Sequence, residues 1–243
     1  MSLRFRLLQA RTETDPVREE ERTSFARHLG VSLSQVEAFD LLGGATSFDR
    51  ITHDVDAILV GGSGDHSVLD DAFWLPAFFD TLAALAEHNF PTFASCFGFQ
   101  GLVIALGGEV IHDAEHAEVG SFELETLPAA SDDPIFSTLP KRFWAQEGHK
   151  DRASRLPENV TAFVQSERAP FQALRVNDTM VYATQFHPEL DDEENRARFM
   201  RYHEAYQQAL GHRRASEILD AFHPSPESNQ LLATFAKVVA QHR

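Results

Sequence analysis

The stretch PTFASCFGFQG, residues 91–101, places the single cysteine of the chain, Cys96, between a short apolar run and the start of an apolar helical pattern. That order predicts a strand, a sharp turn and a helix. A side chain on such a turn stands at the carboxyl end of a sheet strand with a helix N-terminus pointing at it, which favours a thiolate nucleophile. Ala94 and Gly98, two residues to either side, are small enough to let strand and helix approach closely. An isolated cysteine is also a common small core residue, so the nucleophile reading needs a base and an orienting acid elsewhere. Gln185-Phe186-His187-Pro188-Glu189 offers both. One residue separates His187 from Glu189, and side chains that alternate along an extended segment then point the same way.

Working outward, Leu3 to Gln9 reads as a buried first strand, and Asp15-Pro16 starts a helix running to about Leu29. Val36 to Leu42 and Asp56 to Val60 read as strands two and three, the latter ending in Gly61-Gly62-Ser63-Gly64. Asp70 to His88 carries apolar residues at helical spacing and leads into the strand before Cys96. Apolar runs without polar alternation suit a parallel sheet covered on both faces. The expectation is an open, mostly parallel, doubly wound α/β sheet of flavodoxin-like type, with its site at the carboxyl ends of the strands. Beyond Gly107-Gly108 the runs Glu109 to Asp113, Gly120 to Thr126, Arg142 to Gln146, Val160 to Gln165, Phe171 to Val176 and Met180 to Gln185 predict added antiparallel strands, with Asn177-Asp178 as a hairpin turn. Asp191 to Leu210, Ser216 to Phe222 and Ser228 to His242 read as helices. The acidic run Asp191 to Glu194 reads as a helix first turn complementing the dipole.

A length of 243 residues suits one large α/β domain, and 43% hydrophobic with 24% charged residues is an ordinary globular composition. The net charge of −16 argues against nucleic acid and against anionic membranes as partners. One cysteine forbids an intrachain disulfide and fits a reducing compartment. No run approaches the ~20 apolar residues of a membrane span, and the N-terminus lacks the pattern of a signal peptide, so a cytoplasmic location is expected. His112 and His116 have an i, i+4 spacing that a metal could use, but no third ligand is fixed by spacing and the segment reads partly as strand. Neither metal nor cofactor is expected.

Amide hydrolysis by a thiol needs a thiolate, a base that becomes the acid for the leaving amine, an orienting carboxylate and oxyanion donors. Cys96, His187 and Glu189 supply the first three. SCFGFQ together with QFHPE about ninety residues later, and the Gly61-Gly62 pair upstream, resemble the class I, triad-type glutamine amidotransferase family, in its GMP synthase-like branch. The match spans most of residues 3 to 205, which gives an amidotransferase-like domain at 1–205 and a helical extension at 206–243 packed on the same domain. The resemblance implies backbone oxyanion donors at Gly62 and Phe97, and substrate-binding positions at Gly61, Gln100 and His149. For Gln100, a solvent-facing helix position is the alternative. Three departures stand out: Gly-Gly-Ser where the family has Gly-Gly-Pro, Ala94 where it has glycine, and Glu147-Gly148-His149-Lys150-Asp151 in place of Ser-His-Gly-Asp.

The implied activity is hydrolysis of glutamine to glutamate and ammonia. The chain has no P-loop and no room for an activating synthetase domain, so an ammonia acceptor would be a separate partner. Two alternatives remain open, namely a freestanding hydrolase of a γ-glutamyl compound and a non-catalytic glutamine-binding regulatory subunit.

Overall fold

Strands and helices alternate through residue 105 as β1 (Phe5–Gln9), α1 (Val17–Leu29), β2 (Val36–Asp40), α2 (Phe48–Thr52), β3 (Ala57–Val60), α3 (Leu75–Glu87), β4 (Thr92–Ser95) and α4 (Phe97–Ala105). The computed structural model describes residues 2–44 and 46–242. Seven further strands follow: β5 (Glu109–His112), β6 (Glu118–Thr126), β7 (Arg142–His149), β8 (Asp151–Arg155), β9 (Val160–Gln165), β10 (Ala173–Val176) and β11 (Val181–Thr184). The chain ends in α5 (Asp192–Arg201), α6 (His203–Leu210), α7 (His212–Asp220) and α8 (Pro226–Gln241).

Nine strands form one open sheet in the order β2-β1-β3-β4-β11-β10-β9-β6-β7, and β5 pairs with β8 in a separate ribbon. From β2 to β11 the neighbours are parallel, and from β11 to β7 they are antiparallel. Asp178 turns the β10–β11 hairpin with a φ of 58°.

The parallel strands are apolar on both faces because both faces are covered. Phe5, Leu7, Ala57, Leu59 and Phe93 point into a core completed by Phe25 and Leu29 of α1 and by Leu231, Leu232 and Phe235 of α8. Their alternating neighbours Leu8, Ile58, Val60 and Ala94 meet Phe78, Leu82 and Leu85 of α3 and Phe99 and Val103 of α4 on the other face. Phe235 reaches the ring of Phe93 at 5.5 Å, so α8 closes the α1 side of the sheet. A small third cluster joins Phe199 of α5 to Ala215 and Ile218 of α7.

Local chemistry sets the boundaries. Gly30 ends α1 in the left-handed conformation, with φ 72° and its N–H returned to the last turn. Asp191 and Glu194 form a reciprocal capping box at the start of α5, so the acidic run does begin a helix. Three boundaries differ from the sequence reading. The helix expected from Asp70 starts at Leu75, where Pro76 occupies the first turn. The single helix expected over Asp191 to Leu210 is two, broken at Tyr202. Strand β8, DRASR, was hidden by its charges; it gains strand geometry from pairing with β5.

Candidate active site

Cys96 sits between β4 and α4 with φ 51° and ψ −100°. For a residue with a side chain such a conformation costs on the order of 1–3 kcal/mol and persists only when its surroundings over-determine it. Here its N–H donates to the Thr184 carbonyl at 2.8 Å, and its carbonyl accepts the Gln100 N–H at 3.0 Å. A Cβ on Gly98 would lie 2.8 Å from the Val60 side chain and 3.0 Å from the Ala94 Cβ, so small residues are required where helix and strand cross. The first N–H groups of α4 have no intrahelical acceptor, and Phe97 contributes the first of them.

Strand order brings the rest of the site to the thiol. β3, β4 and β11 are adjacent and parallel, with Val60 beside Ala94 and Ser95 beside Thr184, so their carboxyl ends release the chain on one edge. The segments leaving that edge carry Gly61-Gly62, Cys96 and His187-Pro188-Glu189. His187 Nδ1 lies 2.6 Å from Glu189 Oε1, with the Glu189 side chain fully buried. The His187 backbone N–H donates to Gln146 O at 2.8 Å, which ties the segment to β7.

Burial alone would depress the His187 pKa, but Glu189 and the Cys96 thiolate, each by charge and by hydrogen bonding, hold it up at about 10. Glu189 is driven upward by burial, yet the imidazolium and then Arg198 keep it below the usual carboxylate value. The three groups therefore form a chain of complementary charge: thiolate, imidazolium, carboxylate.

The glycine loop packs against this chain. A Cβ on Gly62 would stand 2.9 Å from His187 Cε1, and one on Gly148 would stand 3.7 Å from His187 Nε2. Gly61 lies against Glu21, where a Cβ would meet the carboxylate at 2.6 Å, and its N–H donates to Leu8 O at 3.3 Å. Glu21 is fully buried and bonded to Arg11 at 3.1 Å and to Gln9 at 2.8 Å. Burial would lower the Arg11 pKa, but Glu21 and Asp15 raise it. This buried pair behind the loop was not singled out from sequence, where Glu21 looks like one more acid in the run Glu19-Glu20-Glu21.

A family model of glutamine amidotransferase class-I matches residues 26–204. The chain belongs to the class I glutamine amidotransferase family. Among relatives of this amidotransferase, the glutamine-hydrolyzing GMP synthase of Thermosipho africanus is 36% identical over 135 residues, covering 55% of this chain and 24% of the relative. A subunit of the glutamine-hydrolyzing GMP synthase of Sulfolobus acidocaldarius is 33% identical over 135 residues, covering 56% of this chain and 68% of the relative. The match spans 24% of the Thermosipho GMP synthases and 53% of the corresponding subunit of Pyrococcus abyssi. A crystal structure of a glutamine amidotransferase from Thermotoga maritima superposes with a TM-score of 0.73 over 99% of each chain at 18% identity, a likeness of fold.

The remaining amidotransferase positions fall around Cys96. Gln100 is buried, one turn along α4, so it is not helix surface. Its Nε2 donates to Asp151 O at 2.7 Å and to Gln185 Oε1 at 3.2 Å. His149 is buried with Nε2 3.1 Å from Glu118 Oε2. Next to it Glu147 is also buried, and among the described residues neither of its carboxylate oxygens has a hydrogen-bond partner. Burial, then Glu118 and Cys96, push the Glu147 pKa well above its ordinary value. His112 and His116 do not share a site. His112 Nδ1 is held by Asp151 at 2.6 Å and His116 Nδ1 by Asp113 at 3.0 Å. Among the described residues no helix is long and apolar enough to cross a membrane.

Proposed function

We propose that this chain hydrolyses the side-chain amide of glutamine to glutamate and ammonia, with Cys96 as nucleophile, His187 as general base and acid, and Glu189 as orienter. The observation that carries the reading is the 2.6 Å His187–Glu189 contact at the mouth of a strained cysteine elbow. Cys96 attacks the amide carbon, and the carbonyl oxygen takes the charge, stabilised by the N–H groups of Phe97 and Gly62. His187 gives its proton to the departing nitrogen, which leaves as ammonia and a thioester remains. Water, giving a proton back to His187, then cleaves the thioester to glutamate and restores the thiolate. Glu189 holds the imidazole with Nδ1 bonded, so that Nε2 faces the thiol. Gly61 sets the loop, and Gln100 and His149 line the substrate side.

We also propose that the ammonia passes to a separate synthetase. The support is that several relatives are single subunits of GMP synthase, together with the small fraction of the single-chain GMP synthases that the chain matches. The test is glutamine hydrolysis by the purified chain, alone and with protein that co-isolates from its source. The expected result is low turnover alone and a rise with the partner. Turnover on the order of 10 s⁻¹ alone, an ordinary value for a committed enzyme, contradicts the coupled reading. That result, with activity on γ-glutamyl compounds, would favour a freestanding hydrolase, a reading supported by Glu147-Gly148-His149 standing where the family has Ser-His-Gly-Asp.

A further inference from the structure

Two carboxylates, Glu118 and Glu147, are fully buried beside His149. One ligand atom from each of the three residues lies within 4.8 Å of the other two. Burying a charge without a partner is strongly unfavourable, and in most folds it is paired or neutralised. Within this cluster the only group that can carry a positive charge is the His149 imidazole, set against two carboxylates. That imidazole already faces Glu118 Oε2 at 3.1 Å, and the same oxygen accepts from Gln172 Nε2 at 2.6 Å and Ser166 Oγ at 3.2 Å. The other oxygen atoms of the group are unsatisfied among the described residues: Glu118 Oε1, both oxygens of Glu147 and Gln172 Oε1 have no hydrogen bond. All four are acceptors, so what the cluster lacks is a cation that donates hydrogen bonds.

The place of the cluster narrows the choice. Glu147 and His149 flank Gly148, the residue whose Cβ would lie 3.7 Å from His187 Nε2. Gln100, one turn of α4 after Cys96, donates to the carbonyl of Asp151, two residues past His149. The acids therefore border the reacting centre. In glutamine four bonds separate the amide carbon from the α-nitrogen, a reach of about 5 Å when extended. An ammonium accepts such surroundings without disturbing them, because it needs only lone pairs that are now unused. A metal ion drawing on His149 Nε2 would have to break the bond between His149 and Glu118.

We propose that Glu147, backed by Glu118 and Gln172, is the subsite for the α-ammonium of a γ-glutamyl substrate whose amide carbon lies at Cys96. The proposal rests on the glutaminase reading above and makes a free α-amine a requirement for the substrate. Amides of glutamate with an uncharged or acylated nitrogen are then poor substrates, even though their reacting groups are identical.

The test compares glutamine with glutaramate, the same amide lacking the α-ammonium, in the wild type and in Glu147→Gln. Losing a charge-assisted hydrogen bond in a buried site is expected to lower the glutamine-to-glutaramate ratio of kcat/KM by about 10- to 100-fold. Glu147→Asp, which keeps the charge, retains part of the preference and guards against a variant that fails to fold. A ratio unchanged in Glu147→Gln, with both substrates slowed alike, overturns the assignment. So does stoichiometric retention of zinc or manganese that is lost in Glu147→Gln. A second readout does not need turnover: the rate at which Cys96 is alkylated by a glutamine-like chloroketone, relative to its deamino counterpart. If alkylation keeps the Glu147-dependent preference while no amide is hydrolysed, the glutaminase reading fails and the subsite stands. If alkylation shows no preference, the subsite fails whatever the turnover.

Discussion

Placing alanine at Gly62 isolates the packing of the histidine from the oxyanion donor, because alanine keeps the backbone N–H. The new Cβ would stand 2.9 Å from His187 Cε1, against the 3.4 Å at which ordinary contact begins, so about 0.5 Å must be found. The loop has little room to give: the preceding residue is pinned by its bond to Leu8 O at 3.3 Å and pressed against the buried Glu21 carboxylate. The imidazole must retreat, and in doing so it strains its 2.6 Å bond to Glu189. A misplacement of about 1 Å at a reacting group can cost about a hundredfold, so half of that corresponds to roughly tenfold in kcat, or about 1.4 kcal/mol. The matched variant is Gly148→Ala, whose Cβ would meet His187 Nε2 at 3.7 Å, an ordinary contact. It is expected to stay within about threefold of wild type. Steady-state glutamine hydrolysis by both variants decides the matter. Equal losses, or a Gly62→Ala enzyme as fast as wild type, would refute the placement of the loop against the histidine.

His187→Asn is expected to lose most of the turnover and Glu189→Gln less, since an orienting group contributes less than one that exchanges protons with the reacting centre; their kcat values in one assay check the order. Because the folded His187 pKa, about 10, lies above its ordinary value of 6.5, its protonated form stabilises the fold. That contribution is complete below pH 6.5 and disappears as pH rises toward 10. The stability gap between wild type and His187→Asn in urea unfolding should therefore narrow across that window, and a gap that widens with pH contradicts the charge assignment. Phe235→Ala, which empties a fully buried site against Phe93 and Tyr182, should destabilise by about 3–5 kcal/mol, measured by the same unfolding. Gly98→Ala should cost about 1–3 kcal/mol by overpacking against Val60.

The parts legible in the sequence were those set by neighbours along the chain. The elbow announces itself through Ala94, Cys96 and Gly98, all within five residues, and the histidine and its acid are separated by a single proline. Apolar runs such as Ala57–Val60 reveal that both sheet faces are covered. What could not be read depends on pairing between distant strands. Glu118 meets His149 only because β6 and β7 lie in register, and along its own strand Glu118 looks like a polar start. Glu21 resembles its exposed neighbours until Gln9 and Arg11 are seen to enclose it. The apolar spacing of Leu231, Leu232, Phe235, Val238 and Val239 marks α8 as amphipathic, but nothing local tells which face of the sheet it covers.

Everything proposed for the chemistry depends on Cys96 carrying the covalent step. The decisive measurement is the site of modification by a glutamine-like chloroketone, mapped by mass spectrometry beside the turnover of Cys96→Ala. A single adduct on Cys96 is expected, formed more slowly when glutamine is present, with no measurable hydrolysis by Cys96→Ala. An adduct on another residue, or glutamine hydrolysis that survives the loss of the thiol, would contradict the assignment.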